Sequence, residues 1–290
     1  MNTTGQTFST EFDFSTVVSA EKIERIRAVP HFRESMYAEL DIVKTLEFYY
    51  GRYVKQLIDF TEIDKGTTIV DVGAGYGWLL ITFALTTPAK LIAVEIDEPR
   101  LEAATRIAKI LGVYDKIDWR VGGLGSLPAT TNEANVAYCI EVLEHVYRSP
   151  DALKDLARIS SDLLIVTTPN LWFPVIAHDT RLPFCHWLPI PIRIRYAKLF
   201  NRHEGEVDNL FWSPATLGRG LRDFKVVSNF LHYSSYTNFK ETFPFYLPYG
   251  VPEQINTLGK KKQMYYDLAS KLKGASRFVL PSLACVYKRK

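Results

Sequence analysis

The sequence predicts one α/β domain built on a doubly wound, mostly parallel seven-stranded sheet, and three observations carry that expectation. Short β-branched apolar runs alternate with segments of helical period between residues 67 and 166. The first of these runs ends in closely spaced glycines and leads straight into an apolar helical segment. The chain has 290 residues, 47% hydrophobic and 23% charged, enough for one full core and not clearly enough for two.

The elements follow in order. Residues 1–18 are polar with scattered Phe and read as a loose arm. From Ser19 to Phe60 the apolar positions Ala20, Ile23, Ile26, Leu40, Val43, Leu46, Val54 and Leu57 recur at helical spacing, broken by Pro30. Thr67–Val72 is a buried parallel strand, Trp78–Leu85 a helix, and Leu91–Val94 a second strand closed by Glu95. Pro99–Leu111 is a helix stopped by Gly112. Ile117–Val121 and Asn135–Ile140 are strands, Pro150–Ile159 a helix, and Leu163–Val166 a strand ended by Thr167-Thr168-Pro169-Asn170. After a stretch of altered composition, Ser213-Pro214 opens a helix to Leu221 with a Ser cap. Phe224–Phe230 and Phe278–Tyr287 supply the last two strands.

Composition limits the function. The 35 basic and 32 acidic residues leave a net charge of only +3, so contact with nucleic acid or anionic lipid requires a local patch. Cys139, Cys185 and Cys285 lie far apart without a C-x-x-C pair, which argues against a disulfide scaffold or zinc cluster and fits a reducing cytosol. The opening residues lack the basic and apolar regions of a secretory signal. No run approaches the ~20 apolar residues of a spanning helix.

The strongest chemical signal is Val70-Asp71-Val72-Gly73-Ala74-Gly75-Tyr76-Gly77. Glycines allow a tight turn and close approach of a ligand, and the following helix start offers free N–H groups. A dinucleotide loop reads G-x-G-x-x-G with a small last residue. Here the spacing is G-x-G-x-G and Trp78 fills the last place. Glu95, 22 positions after Gly73, stands where a carboxylate accepts both hydroxyls of a ribose. The combination favours a nucleoside cofactor without a pyrophosphate.

This run, with Ala93-Val94-Glu95-Ile96-Asp97, resembles the cofactor site of class I S-adenosylmethionine-dependent methyltransferases, a Rossmann-like fold. The resemblance implies that Gly73, Ala74, Gly75 and Gly77 pass under the methionine part, with Asp71 near its ammonium. It implies that Glu95 holds the ribose and that Ile96, Gly123, Leu124 and Ile140 border the remaining cofactor. Many such enzymes carry an acidic residue after the third strand, where this chain has Gly122-Gly123-Leu124-Gly125.

A second signal, Glu141-Val142-Leu143-Glu144-His145, follows the fourth strand, at the end of the sheet where open α/β folds bind ligands. If a helix starts at Glu141, then Glu144 and His145 share its face. Two carboxylates and an imidazole suit a Mg2+-type cation. Alternatively, His145 alone is a general base positioned by Glu144 or Glu141. A third reading makes the carboxylates ordinary helix-start charges. The segment, together with Thr167–Asn170, resembles the ubiquinone-biosynthesis O-methyltransferase group and the small-RNA 2′-O-methyltransferases, whose E-x-x-E-H cluster is associated with a metal. Glu141, Glu144 and His145 are therefore both the catalytic and the metal candidates.

Residues 171–212 hold three of the five tryptophans, and five of the 15 prolines fall between Pro169 and Pro191. The segment mixes large apolar side chains with Arg193, Arg195, Lys198 and Arg202, the composition of an interfacial element. As an insertion after the fifth strand it should roof the ligand crevice, with His178, Trp187 and His203 as substrate contacts. The expected organisation is an arm and helical cap over 1–50, then a methyltransferase domain over 51–290. The expected activity is methyl transfer from S-adenosylmethionine, with Mg2+ as a candidate ion, to an oxygen of a small or lipid-linked acceptor. RNA 2′-O-methylation and cofactor binding without catalysis are the competing readings. Nucleic acid is not the expected partner. The expected location is cytoplasmic with a peripheral membrane contact.

Overall fold

Side chains alternate across the central strands, and that alternation makes two apolar layers. In the computed structural model, which describes residues 12–146, 150–176, 180–202, 211–229 and 260–290, Ile69, Val136, Tyr138, Leu163 and Ile165 lie in one layer. Their neighbours Val70, Val72, Ala137, Cys139, Leu164 and Val166 lie in the other. Strands β1 (Thr68–Val72), β2 (Lys90–Glu95), β3 (Ile117–Val121), β4 (Ala134–Ile140) and β5 (Ser160–Pro169) are parallel. Strand β7 (Ser282–Arg289) inserts antiparallel between β5 and β6 (Phe224–Ser228). The order is β3-β2-β1-β4-β5-β7-β6, so the expected seven-stranded, mostly parallel Rossmann-like sheet is the observed one. The strand order reverses between β1 and β4, and the crevice outside their carboxyl ends is where such sheets bind ligands.

Local chemistry sets the helix limits. In α1 (Ala20–Arg27), α2 (Ile42–Tyr49) and α5 (Glu98–Leu111), the side chains of Ser19, Asp41 and Asp97 accept the first orphan N–H groups. Gly112 closes α5 in a left-handed conformation (φ 77°). A π-helical stretch, Tyr50–Val54, joins α2 to the short α3 (Lys55–Leu57). Helix α4 (Trp78–Thr86) is apolar on all sides and lies inside the first layer. Helices α6 (Pro150–Ile159) and α8 (Pro214–Gly220) cover the other face, α8 starting in a Ser213–Thr216 capping box. Helix α7 (Ile190–Leu199) lies in the 171–212 segment, and α9 (Lys260–Ser270) precedes β7. Phe14, Ile26, Phe32, Leu40 and Leu46 share the apolar layer of α4 and α5, so the N-terminal helices join the main core. No helix among the described residues is long and apolar enough to cross a membrane.

The expected limits of the last strands change, β5 starting already at Ser160 and β7 running on to Arg289. The last strand begins at Ser282, not at Phe278, because Lys273–Phe278 form a 3₁₀ turn and Pro281 has no N–H for the ladder. Strand β5 runs on through Thr167 and Thr168 to Pro169, because β7 pairs with it as far as Pro169–Ser282. Phe230, expected in the sixth strand, lies outside the described residues.

Asn170, fully buried after β5, fastens this edge. Its Nδ2 donates to the carbonyls of Arg277 (3.0 Å) and Leu280 (2.8 Å), and its Oδ1 accepts from Trp172 N (3.0 Å). Asn170→Ala leaves those groups without partners, so urea unfolding should show a loss of about 1–3 kcal/mol at unchanged slope. A variant as stable as the parent would show that the junction is held by packing alone.

Candidate active site

The site grows from the end of β1. Gly73, Gly75 and Gly77 all adopt positive φ (80°, 57° and 77°). A Cβ on Gly73 would stand 2.3 Å from Val142 Cγ2, so glycine lets the β1 loop press against the segment that follows β4. A Cβ on Gly75 would meet nothing within 4 Å, so the space above that residue is open. The N–H groups of Gly73 and Ala74 both donate to Val94 O (2.8 and 3.0 Å), which pins the loop to β2.

Glu95 completes the clamp. Its buried carboxylate accepts from Gly75 N (2.7 Å) through Oε2, and from Ile96 N (2.9 Å) and Asp97 N (3.0 Å) through Oε1. A carboxylate has about four acceptor directions, so capacity remains for a ligand hydroxyl. Asp71 lies buried behind the loop, and its pKa is pushed up to about 7 by burial and then by the charge of Glu95. Among the described residues neither Asp71 nor Glu95 has an ion-pair partner. The pair forms an acidic floor suited to a cationic ligand. At the rim, Ile96 is 73% exposed, an unusual state for isoleucine, and its Cδ1 lies 3.0 Å from where a Cβ on Gly123 would stand. Leu124 beside it is half-buried, and Ile140 closes β4. The N–H groups of Gly125 and Leu127 donate to Asp155 Oδ2 on α6 (2.9 and 3.0 Å), fixing this rim.

The segment after β4 departs from expectation. Glu141–Val146 is an irregular turn, and the next helix starts only at Pro150, so the shared helical face does not form. Glu141 takes a positive φ of 53°, and its N–H donates to both the carbonyl and Oγ1 of Thr167 (3.0 Å each). Glu144 turns inward and is buried, where it is hydrogen-bonded to Glu141 and accepts from Thr168 Oγ1 (3.1 Å). Burial, then the nearby Glu141 charge, pushes its pKa up to about 9. His145 is exposed. Among the described residues no group of three His, Cys, Asp or Glu side chains is placed to hold a metal ion. The expected Glu141–Glu144–His145 site for Mg2+ is therefore not assembled. Glu144 turns inward to Glu141 and Thr168, while His145 stays exposed. What forms instead is a carboxylic acid hydrogen-bonded to a neighbouring carboxyl beside the glycine loop.

Other contacts at the site were not foreseen. Tyr76 Oη lies 3.1 Å from His31 Nδ1, and the Tyr76 ring meets Phe32 edge-on, so the N-terminal segment touches the glycine loop. Phe32 also meets Trp78, the residue standing where a dinucleotide loop needs a small one. Trp212 Nε1 donates to Leu143 O (2.9 Å), tying the end of the 171–212 segment to the acid pair. The His31 and Trp212 contacts bridge 45 and 69 residues and leave no local signature. Thr167 and Thr168 were visible as the end of a strand and as part of the resemblance, but not as partners of Glu141 and Glu144. Of the expected substrate contacts, His178 and His203 lie outside the described residues. Trp187 is half exposed, and its Nε1 donates to Leu171 O (2.6 Å). His186 is buried with Nε2 3.1 Å from Leu171 O.

Comparison with known proteins bears on this geometry. Residues 46–219 match the family described as methyltransferase domain. An O-methyltransferase of Pyrenophora dematioidea is 23% identical over 116 residues, covering 40% of this chain and 43% of that protein. A ubiquinone/menaquinone biosynthesis C-methyltransferase of Cereibacter sphaeroides is 26% identical over 154 residues, covering 52% and 60%. The chain thus spans about half the length of these curated relatives. The solved structure of geranyl diphosphate C-methyltransferase from Streptomyces coelicolor A3(2), in complex with Mg2+, geranyl-S-thiolodiphosphate and S-adenosyl-L-homocysteine, shares the fold. It superposes with a TM-score of 0.51 at 12% identity, covering 91% of this chain and 84% of that one.

The acid pair makes a prediction about stability. Glu144 holds its proton in the folded chain up to about pH 9 and releases it near 4.5 when unfolded. Between those values the folded state binds more protons, so stability falls as pH rises, by at most about 1.4 kcal/mol per unit. Glu144→Gln removes this proton, so its urea-unfolding free energy should vary less over the same range. Parallel pH profiles for the two proteins would show that Glu144 is not held as the acid.

Proposed function

The chain belongs to the methyltransferase-domain family that its residues 46–219 match, and from that premise we propose that it transfers a methyl group from S-adenosylmethionine to an oxygen of a small or lipid-linked acceptor. The observation that carries the cofactor half is the acidic floor. Asp71 and Glu95 are both buried beneath an open glycine loop and have no cationic partner among the described residues. S-Adenosylmethionine, when bound, supplies a sulfonium-activated methyl group. The chain's own residues bind and orient. Ionised Asp71 faces the ammonium, and Glu95 uses its remaining acceptor sites for the ribose hydroxyls. Gly73, Ala74, Gly75 and Gly77 leave room for the amino-acid part. Ile96, Gly123, Leu124 and Ile140 give a flat apolar border to the base.

The oxygen half rests on the acid pair. An acceptor hydroxyl must lose its proton as the methyl arrives, and Glu141 lies beside the loop that would present it. Glu144, kept neutral by burial, donates a hydrogen bond that holds Glu141 in place. His145 is the competing base, being the exposed member of the cluster. The similarity to a ubiquinone/menaquinone biosynthesis methyltransferase supports a small or lipid-linked acceptor. The curated relatives include both O- and C-methyltransferases, so the product decides between the two. We also propose that 1–50 caps, and 171–212 roofs, the acceptor side of the 51–290 domain, with His178, Trp187 and His203 as acceptor contacts.

Calorimetry should show binding of S-adenosylmethionine and its demethylated product, but not of NAD. Glu95→Ala should weaken that binding by about 1–3 kcal/mol. Because a proton on Asp71 competes with the ammonium, affinity should fall as pH drops below about 7, approaching tenfold per unit. Asp71→Asn should flatten that dependence. Tight NAD binding without a response to S-adenosylmethionine would overturn the cofactor assignment.

Turnover on an assayed acceptor should fall about 10²–10⁴-fold in Glu141→Gln, with cofactor affinity kept. If His145→Ala shows that loss and Glu141→Gln does not, the imidazole is the base. Transfer of a 13C-methyl group followed by NMR separates the products. A methoxy carbon supports the oxygen reading, and a C-methyl signal overturns it.

A further inference from the structure

Helix α7 touches the body of the protein through a narrow strip. Its buried residues are Arg193 and Ala197, one turn apart, and the Arg193 Nη2 donates to His186 O (2.9 Å). Large apolar side chains of the helix stand exposed on both flanks of that strip. Ile190 and Ile194 form one stripe that continues into Lys198, while Ile192, Arg195 and Leu199 form another. Leu199 is 79% exposed, and Phe200 and Trp187 are about half exposed. A soluble protein rarely leaves so many large apolar side chains together in water, and such a patch marks a contact surface.

Charge identifies the other side of the contact. Residues 181–202 contain five basic residues and no acidic one. Arg195, Lys198 and Arg202 stand exposed among the isoleucines and aromatics. A second copy meeting this patch by two-fold symmetry would place these like charges opposite one another. An anionic bilayer surface offers the opposite charge to the basic heads and an acyl boundary to the apolar bodies. No described helix is long and apolar enough to cross a membrane, so the contact would be lateral.

We propose that the Trp187–Phe200 face is a docking surface for an anionic lipid bilayer, with α7 lying along the interface. Trp187, Ile192, Leu199 and Phe200 enter the headgroup boundary, and Arg195 and Lys198 reach the lipid phosphates. This surface does not depend on the methyl-transfer reading. Calorimetry with S-adenosylmethionine in the absence of vesicles tests that reading separately.

Co-sedimentation of the full chain with sonicated vesicles tests the surface. With phosphatidylglycerol–phosphatidylcholine vesicles at low salt the protein should pellet. It should stay in the supernatant with phosphatidylcholine alone, and in about 1 M salt, where charges are screened beyond ~3 Å. Leu199→Ser with Phe200→Ser, and separately Arg195→Ser with Lys198→Ser, should each lower the bound fraction about tenfold or more at unchanged thermal midpoint. In the unaltered protein, tryptophan emission should be quenched by brominated acyl chains, since Trp187 and Trp172 are the exposed indoles while Trp78 and Trp212 are buried. That measurement decides the matter even if a variant folds poorly. A protein that stays soluble with anionic vesicles at low salt, or pellets without quenching, overturns the proposal. A concentration-dependent dimer abolished by the Leu199 and Phe200 substitutions would assign the patch to a second copy and overturn it as well.

Discussion

The arrangement of the site depends on one buried carboxylate. Glu95 ends β2 and takes hydrogen bonds from the β1 loop at Gly75 and from its own chain at Ile96 and Asp97. Charge-assisted bonds of this kind are shorter and stronger than neutral ones, and a buried carboxylate without them would be costly. Meeting that requirement draws two loops together at the carboxyl ends of adjacent parallel strands. The same bonds aim Ile96 outward over Gly123 and leave Gly75 facing open space. The glycines make the approach sterically allowed, and Glu95 makes it favourable.

Electrostatic cost is then concentrated at the centre of the crevice. Burial pushes Asp71 to about 7 and Glu144 to about 9, in each case with a second carboxyl adding to the effect. A fold selected for stability alone would place neutral side chains here. Two acids with displaced proton affinities, on either side of the point where the strand order reverses, suit a site that receives positive charge on one side and handles a proton on the other. The N-terminal segment closes this region from outside, through His31 and Phe32 on Tyr76, and the segments leading into β7 and α8 brace it through Asn170 and Trp212.

Most of the fold was legible because its signals are local. Parallel strands buried on both faces read as β-branched runs, and α5 between them starts at the Asp97 cap and stops at Gly112. Strands β1 to β4 and helix α6 fall within about a residue of their expected limits for that reason. The C-terminal limits moved because their cause is distant. Where β5 ends depends on how far β7 runs beside it, and where β7 starts depends on Pro281 and the 3₁₀ turn before it. The cofactor-side candidates from Asp71 to Gly77, with Glu95, Ile96, Gly123 and Leu124, gather at one crevice because a strand–loop–helix unit fixes each of them within a few residues.

The cluster after β4 shows the limit of that reasoning. By itself the sequence determined that two acids and a histidine follow the fourth strand, and spacing could treat them only as successive positions on a helix. Tertiary structure decided otherwise. The Glu141 N–H is taken by Thr167 on the neighbouring strand, its backbone turns to positive φ, and Glu144 is drawn inward to Thr168 while His145 stays in solvent. A strand's neighbours in a parallel sheet come from distant parts of the chain. The partners that set the direction and the proton affinity of a side chain at its end are therefore absent from the local sequence. The pattern of residues determined the fold and the position of the crevice, and the tertiary packing that buries Glu144 beside Glu141 decided which of its acids keeps a proton.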